Sequence, residues 1–197
     1  MYVIGFCDGS DQPGSAAGPV EHVAGIGLVL VRQAPSAKRC LALQLEAMKA
    51  CAAFLPVRPT RPIPVDAARD GVARQPADLL RRLDVVRDHC EMQVQLRCST
   101  ELKPVASLKE RAARKRAERS VSRSVDAWFE SIGPITLRNW RSRGPHWIGA
   151  FLVPRNSVAV LQTALEETPA PHIGPSCSVL LTGPWPVLSF AEEQSAA

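Results

Sequence analysis

The sequence predicts an α+β protein of two small domains, the second a modified ferredoxin-like fold with the order βαββαβ. Three observations predict it. Residues 89–190 read as strand, helix, strand, strand, helix, strand, the order of the split β-α-β motif. Glu91–Arg97 alternates between polar and apolar residues, as a half-buried strand does. The stretch 106–132 repeats apolar residues at helical spacing. The expected organisation is an N-terminal α+β domain over 1–88, the ferredoxin-like domain over 89–190, and a flexible tail over 191–197.

The first strand is the apolar run Tyr2–Cys7, ended by Asp8-Gly9. Residues 8–19 are rich in Gly, Ser, Asp and Pro and read as a loop. Gly25–Val31 is a second strand. Its glycines mark a bulge or a close backbone approach rather than a phosphate loop, because no further glycines open a following helix. Leu41, Leu45, Met48, Ala52 and Leu55 recur at steps of three and four, which predicts a helix over Lys38–Phe54, stopped by Pro56. Pro56, Pro59, Pro62 and Pro64 keep the next stretch extended or turning. Ala77–His89 is helical again, with Leu79, Leu80, Leu83 and Val86 as its stripe. The first half is thus expected to hold two strands and two helices.

In Glu91–Arg97, Met92, Val94 and Leu96 should face a core, and Glu91, Gln93, Gln95 and Arg97 should face water. In the long helix over 106–132, Leu108, Ala112, Ala117, Val121, Val125, Trp128 and Ile132 line one face. Arg111, Arg114, Lys115 and Arg119 line the other. Gly133-Pro134 ends that helix. A strand over Pro134–Trp140, a turn over Arg141–Pro145 and a strand over Trp147–Val153 follow. The next helix starts at Asn156 or Ser157 as N-cap, carries Val158, Leu161 and Leu165 inward, and closes at Pro169. Ser178–Thr182 is the last strand, followed by a Gly-Pro-Trp-Pro turn.

Composition narrows the function. A hydrophobic fraction of 46% in 197 residues is that of a folded chain, which excludes wholesale disorder. No run reaches the roughly 20 apolar residues of a membrane span, and no basic region precedes an apolar one at the N-terminus. A cytosolic protein is expected, so the six cysteines, none in a C-x-x-C pair, read as free and buried thiols. The net charge of +5 is local. Eight Lys or Arg against two acids lie between Lys103 and Arg123, leaving the rest of the chain close to neutral.

Nothing in the sequence argues for catalysis. His89-Cys90-Glu91 sets a base, a nucleophile and an acid side by side, but strand neighbours point to opposite faces and cannot converge on one substrate. The four histidines lack metal-ligand spacing, and no nucleophile elbow or phosphate loop is present. The basic face of helix 106–123 is the conventional binding feature, and it makes a nucleic-acid-binding ferredoxin-like module the alternative reading. Against it, no aromatic residue interrupts that face to stack a base, so the plainer reading is a solvated helix face.

The C-terminal turn differs in kind. Gly183 opens backbone angles closed to other residues, and Pro184 and Pro186 fix φ on either side of Trp185, so the indole is held in a narrow range of directions. A packing role and a display role remain equally open on these grounds. The run Leu180-Leu181-Thr182-Gly183-Pro184-Trp185-Pro186, closed by Ser189-Phe190, resembles the C-terminal signature of the gas vesicle F/L family, Thr-Gly-Pro-Trp-Pro-Pro-Tyr-Ser-Phe. Val187 and Leu188 stand in place of the second proline and the tyrosine. Ala150–Pro154 with the helix after it is similar to the unit preceding that signature. Leu55-Pro56-Val57-Arg58 is similar to the family's Leu-Pro-Val-Arg segment, and Tyr2–Gly5 to its opening strand. Where the family continues with a Phe-Gly-containing stretch, this chain has Pro59-Thr60-Arg61-Pro62.

The resemblance implies a non-enzymatic minor component of gas vesicles, without cofactor or metal. It implies a protein of the cytoplasm and the vesicle, with the shell protein, its small hydrophobic structural subunit and other accessory proteins as partners in nucleation or assembly. The candidate contact residues are Gly183, Pro184, Trp185, Pro186 and Phe190 at the turn, and Arg111, Arg114, Lys115 and Arg119 on the basic helix.

Overall fold

The computed structural model describes residues 1–11, 17–98, 107, 111, 116, 123–132, 136–143, 146–168 and 177–191. Over these the protein is α+β, with nine strands in two sheets and six α-helices. Contacts divide it into two compact units, Met1–Glu91 together with the chain from Pro184 on, and Met92–Gly183. The expected boundaries put Pro184–Phe190 with the second half instead; in the structure this stretch packs with the first unit.

In the first unit, β1 (Tyr2–Asp8), β2 (Val20–Val23), β3 (Ile26–Val31), β4 (Phe54–Pro56) and β5 (Ile63–Pro64) form one sheet in the order β2-β3-β1-β4. On one side β1 pairs with β3, and on the other its first residues pair with β5 and its later ones with β4, all antiparallel. Val3, Ile4 and Cys7 of this central strand are fully buried. β2 was not expected, because Val20-Glu21-His22-Val23 is half polar. It follows from the two-residue turn Ala24-Gly25, both at positive φ (50° and 80°), whose twist matches that of the paired strands.

Helix α1 (Ala37–Ala50) begins at Ser36, whose hydroxyl accepts a hydrogen bond from the Arg39 amide at 3.3 Å. It stops before the expected Phe54, because Phe54 and Leu55 pair with Cys7 and Phe6 of β1. Its buried face is also rotated from the expected stripe. Cys40, Gln44, Ala47 and Met48 are buried, while Leu41 and Leu45 are half-buried. Gln44 explains the rotation. The β1–β3 register slips between Val3 and Gly5, leaving the Ile4 carbonyl out of that ladder. The Gln44 amide donates to it at 2.8 Å and to the Val57 carbonyl at 2.7 Å, and the Val57 amide also donates to Ile4 at 3.1 Å. A buried backbone acceptor needs a donor, so a polar residue takes a core position that apolar periodicity assigns to its neighbours.

Helix α2 (Val65–Arg74) is an addition to the expected elements. Val65, Ala68 and Val72 are buried at helical spacing, but the helix is short and interrupted by Gly71. Helix α3 (Pro76–Val86) ends before His89, because His89 already belongs to β6 (His89–Cys98). Just past α3, Arg87 donates to Asp8 at 2.6 Å, while Asp8 also accepts from the Ser10 amide at 3.0 Å and the Ser10 hydroxyl at 2.8 Å. Arg87 first, and then Ser10, hold the Asp8 carboxyl down at about 2. A depressed folded pKa contributes stability that is present above the unfolded value near 3.9 and is lost as pH falls through about 2. Asp8→Asn is therefore expected to flatten the acid limb of a Tm-against-pH curve between about pH 4 and pH 2. An unchanged limb would show that this cluster carries none of the acid sensitivity.

In the second unit, β6, β7 (Thr136–Arg143), β8 (His146–Pro154) and β9 (Cys177–Trp185) form a sheet in the order β7-β8-β6-β9. Helix α4 covers 123–131, and α5 (Val158–Glu167) follows a single 3-10 turn, Arg155–Ser157. Met92, Val94 and Leu96 of β6 are buried as expected, and Arg97 is exposed. Glu91 corrects the expectation, for it is fully buried. β7 and β8 pair antiparallel as far as Arg143↔His146, so Arg141 and Ser142 belong to the ladder rather than to a turn. On α4, Val125, Trp128 and Phe129 are buried, as is Ile132 just past its end. The Phe129 ring lies 5.7 Å from that of Phe151 and 5.1 Å from that of Trp128. It sits directly over Gly149, where a Cβ would come within 2.9 Å of the ring. Leu161 is the buried residue of α5, with Val158 and Leu165 half-buried. Among the described residues no helix is long and apolar enough to cross a membrane.

Candidate functional site: the C-terminal segment and its groove

β9 runs three residues beyond the expected Thr182, so Gly183, Pro184 and Trp185 lie in a strand and not in a turn. Two features permit this. Gly183 takes φ 128°, a conformation a side chain would oppose. Pro184 lacks an N–H, which an edge strand tolerates, and β9 is at the edge of its sheet. The chain turns later, at Pro186-Val187, both buried, with Val187 1% exposed. This is what valine does where the family signature has proline: it fills a core position.

Beyond the turn, α6 (Leu188–Ala191) is a single helical turn, closed by the Phe190 and Ala191 amides donating to the Val187 carbonyl at 3.1 and 3.0 Å. So short a helix has no stability of its own. It is held from outside. The buried Glu91 carboxylate accepts from the Ser189 amide at 2.7 Å and from the Ser189 hydroxyl at 2.8 Å. At the far end, the Arg82 guanidinium donates to the Ala191 carbonyl. Glu91 thus serves as a remote cap for the first residues of α6, a charge-assisted version of the ordinary N-cap.

The candidate contact residues are distributed unevenly. Gly183 and Pro184 are exposed, Trp185 and Phe190 are half-buried, and Pro186 is buried. On the basic helix, Arg111 is exposed, whereas Arg114, Lys115 and Arg119 lie outside the described residues.

Against α6 the first unit forms a groove of about 500 Å³. Its apolar surface comes from Phe6, Leu55, Ile63, Leu79 and Leu188, and its charge from Arg58, Arg61 and Arg82. Two segments singled out in the sequence, Leu55-Pro56-Val57-Arg58 and the end of the C-terminal signature, therefore meet in one place. The sequence did not point to Arg61, Arg82, Gln44 or Glu91. Gln44, Arg82 and Glu91 owe their positions to partners far away in the chain, and no local pattern marks them.

The groove offers guanidinium groups and apolar surface, but no nucleophile and no titrating acid or base. The described thiols, Cys7, Cys40, Cys51 and Cys90, are buried. A hydrogen bond with Cys51 and then burial push the Cys7 thiol up, and burial pushes Cys40 up, which leaves both unreactive as nucleophiles. The His89 ring meets the Arg87 carbonyl at 2.5 Å and Glu91 holds Ser189, so these neighbours serve local structure. No group of three His, Cys, Asp or Glu side chains suited to a metal ion occurs among the described residues.

Along 97% of its length the chain matches the crystal structure of the gas vesicle protein GvpF from Anabaena sp. PCC7120, covering 95% of that chain with a TM-score of 0.69 and 13% sequence identity. It also matches GvpF from Microcystis aeruginosa, over 97% of this chain and 98% of that one, with a TM-score of 0.62 and again 13% identity. The chain has a GvpF-like fold over nearly its whole length. No protein-family model matches the sequence, and no curated protein matches it.

Proposed function

We propose that this chain is a gas vesicle protein of the F/L family, a non-enzymatic minor component that associates with the vesicle shell and its hydrophobic structural subunit during nucleation or assembly. The observation that carries the reading is the GvpF-like fold over nearly the whole chain, coincident with a C-terminal Thr-Gly-Pro-Trp-Pro run in the last strand. Its place of work is the cytoplasm and the vesicle, and its partners are the shell protein and other accessory proteins.

The ferredoxin-like reading of the second half draws support from the element order β6-α4-β7-β8-α5-β9 and the sheet order β7-β8-β6-β9. Each helix follows one strand and leads to another two places away in the sheet, the arrangement of a split β-α-β unit. A nucleic-acid-binding role is not favoured, since the two structural neighbours named above are gas vesicle proteins.

Physically, a strongly self-associating shell subunit needs an apolar contact that is rigid before binding, so that little conformational freedom is lost on association. Trp185, half-buried in β9, and the pinned α6 beside it supply such a contact, with Gly183, Pro184 and Phe190 around it. The test is co-purification with the shell subunit encoded in the same genome. Association of the wild-type chain, weakened at least tenfold in Trp185→Ala with the fold intact by circular dichroism, is expected. Failure of the wild-type chain to retain the subunit would overturn the role, and an unaffected Trp185→Ala would move the contact elsewhere.

A further inference from the structure

We propose that the outer edge of β9, over Ser178–Leu181, is a self-association surface. A second copy of this chain adds its own β9 there, antiparallel about a twofold axis, joining two four-stranded sheets into one. This inference goes beyond the gas vesicle role and does not depend on it.

The first argument is the backbone. Along a strand, successive peptide groups turn their N–H and C=O alternately to the two sides, so a strand at the end of a sheet leaves half of them for water or a further strand. β9 ends the sheet order β7-β8-β6-β9, and among the described residues β6 is the strand it pairs with. Ser178, Val179 and Leu180 are exposed, the last two by 38% and 43%. Neighbouring positions on a strand face opposite sides of the sheet. Apolar surface is therefore open on both sides of this edge, where an added strand would cover it.

The second argument is charge, which selects the occupant. Edge strands that stay single are commonly short or carry charged side chains. β7, at the other end of the same sheet, holds Arg138, Arg141 and Arg143. β2, at the edge of the first unit's sheet, has four residues and holds Glu21, which accepts from Arg69 at 2.5 and 2.8 Å. β9 has no charged residue in nine. Copies of β7 laid side by side would bring arginines together, whereas copies of β9 bring no charge together. The same strand fits from either copy, which is the condition for a twofold interface. Pro184 has no N–H to donate and limits the pairing to the first half of the strand. Each copy offers one such edge, so assembly closes at two.

The experiment is sedimentation equilibrium of the full chain from low-micromolar to millimolar concentration, with hydrogen exchange followed over Ser178–Leu181. The mean mass is expected to rise from that of one chain towards that of two and no further, with exchange in this segment slowing in step. Leu180→Lys and, separately, Val179→Lys should each weaken dimerisation at least tenfold with the fold intact by circular dichroism. Val160→Lys, the same kind of change at an exposed apolar position of α5, should leave it within twofold. The proposal fails if the wild type stays monomeric at millimolar concentration, if its mass grows past two chains, or if Val160→Lys weakens it as much as Leu180→Lys. It fails equally if the segment stays unprotected in the dimer. Protection of the segment in a monomeric chain by an uncharged Val-Thr peptide would also overturn it, since the edge would then receive a foreign strand.

Discussion

Glu91→Ala is expected to destabilise the protein by on the order of 3 kcal/mol, because it removes the buried acceptor of two hydrogen bonds to a charged group. Both donors come from Ser189, at 2.7 and 2.8 Å, and the carboxylate has no solvent exposure to soften the loss. Ser189→Ala removes one of the two and should cost about 1 kcal/mol. Glu91→Gln keeps the shape, its Oε1 can accept from the Ser189 amide and its N–H₂ can donate to the Ser189 hydroxyl, so it should retain much of what the alanine variant loses. Urea denaturation gives the energies, and hydrogen exchange at the Ser189 amide tests the cause. If Glu91→Ala leaves that amide as protected as in the wild type, the carboxylate is not what holds α6. The consequence reaches the groove, since Leu188 and Ala191 form one of its walls.

The second large effect is expected at Phe129→Ala, about 3–5 kcal/mol, the range for truncating a buried aromatic side chain without collapse of the surroundings. Phe129 is 1% exposed and its ring packs between Trp128 and Phe151 over the bare backbone of Gly149. Gly149 offers no side chain that could swing into the space, so the cavity should persist. Phe129→Leu, which refills most of the volume, should recover more than half of the loss. The measurement is the shift in urea midpoint at constant m-value. A shift corresponding to less than about 1 kcal/mol would mean that the sheet closes onto α4 after all.

How much of this was legible beforehand depends on the range of the interaction. The strands β1, β3, β6 and β8 were readable because a run or alternation of apolar residues is a local property. So was the inward face of α4 at Val125 and Trp128, where period and burial coincide. The register of α1 was not readable. Leu41, Leu45 and Met48 make the better apolar stripe, yet Gln44 is buried, because its amide donates to two buried carbonyls, those of Ile4 and Val57, that lie far from it in the chain. The polar side of the β6 alternation was right for Arg97 and wrong for Glu91 for a similar reason. Its partner, Ser189, arrives from the other end of the chain. The Gly-Pro-Trp-Pro run was legible as a backbone constraint, but whether it turned or continued as an edge strand depended on a neighbouring strand that no local pattern reveals.

The sequence by itself determined the α+β class, the order of the elements in the second half, and a C-terminal signature whose resemblance agrees with a GvpF-like fold. Each of these follows from residue periodicity or from a rare local motif. Only the tertiary structure decided which polar residues are buried, where the chain turns after β9, and that Leu55-Pro56-Val57-Arg58 and α6 wall a common groove with Arg61 and Arg82. The reason is that buried polar groups must be satisfied pairwise. The partner of each one is set by how the whole chain folds back on itself, and local sequence carries no record of that pairing.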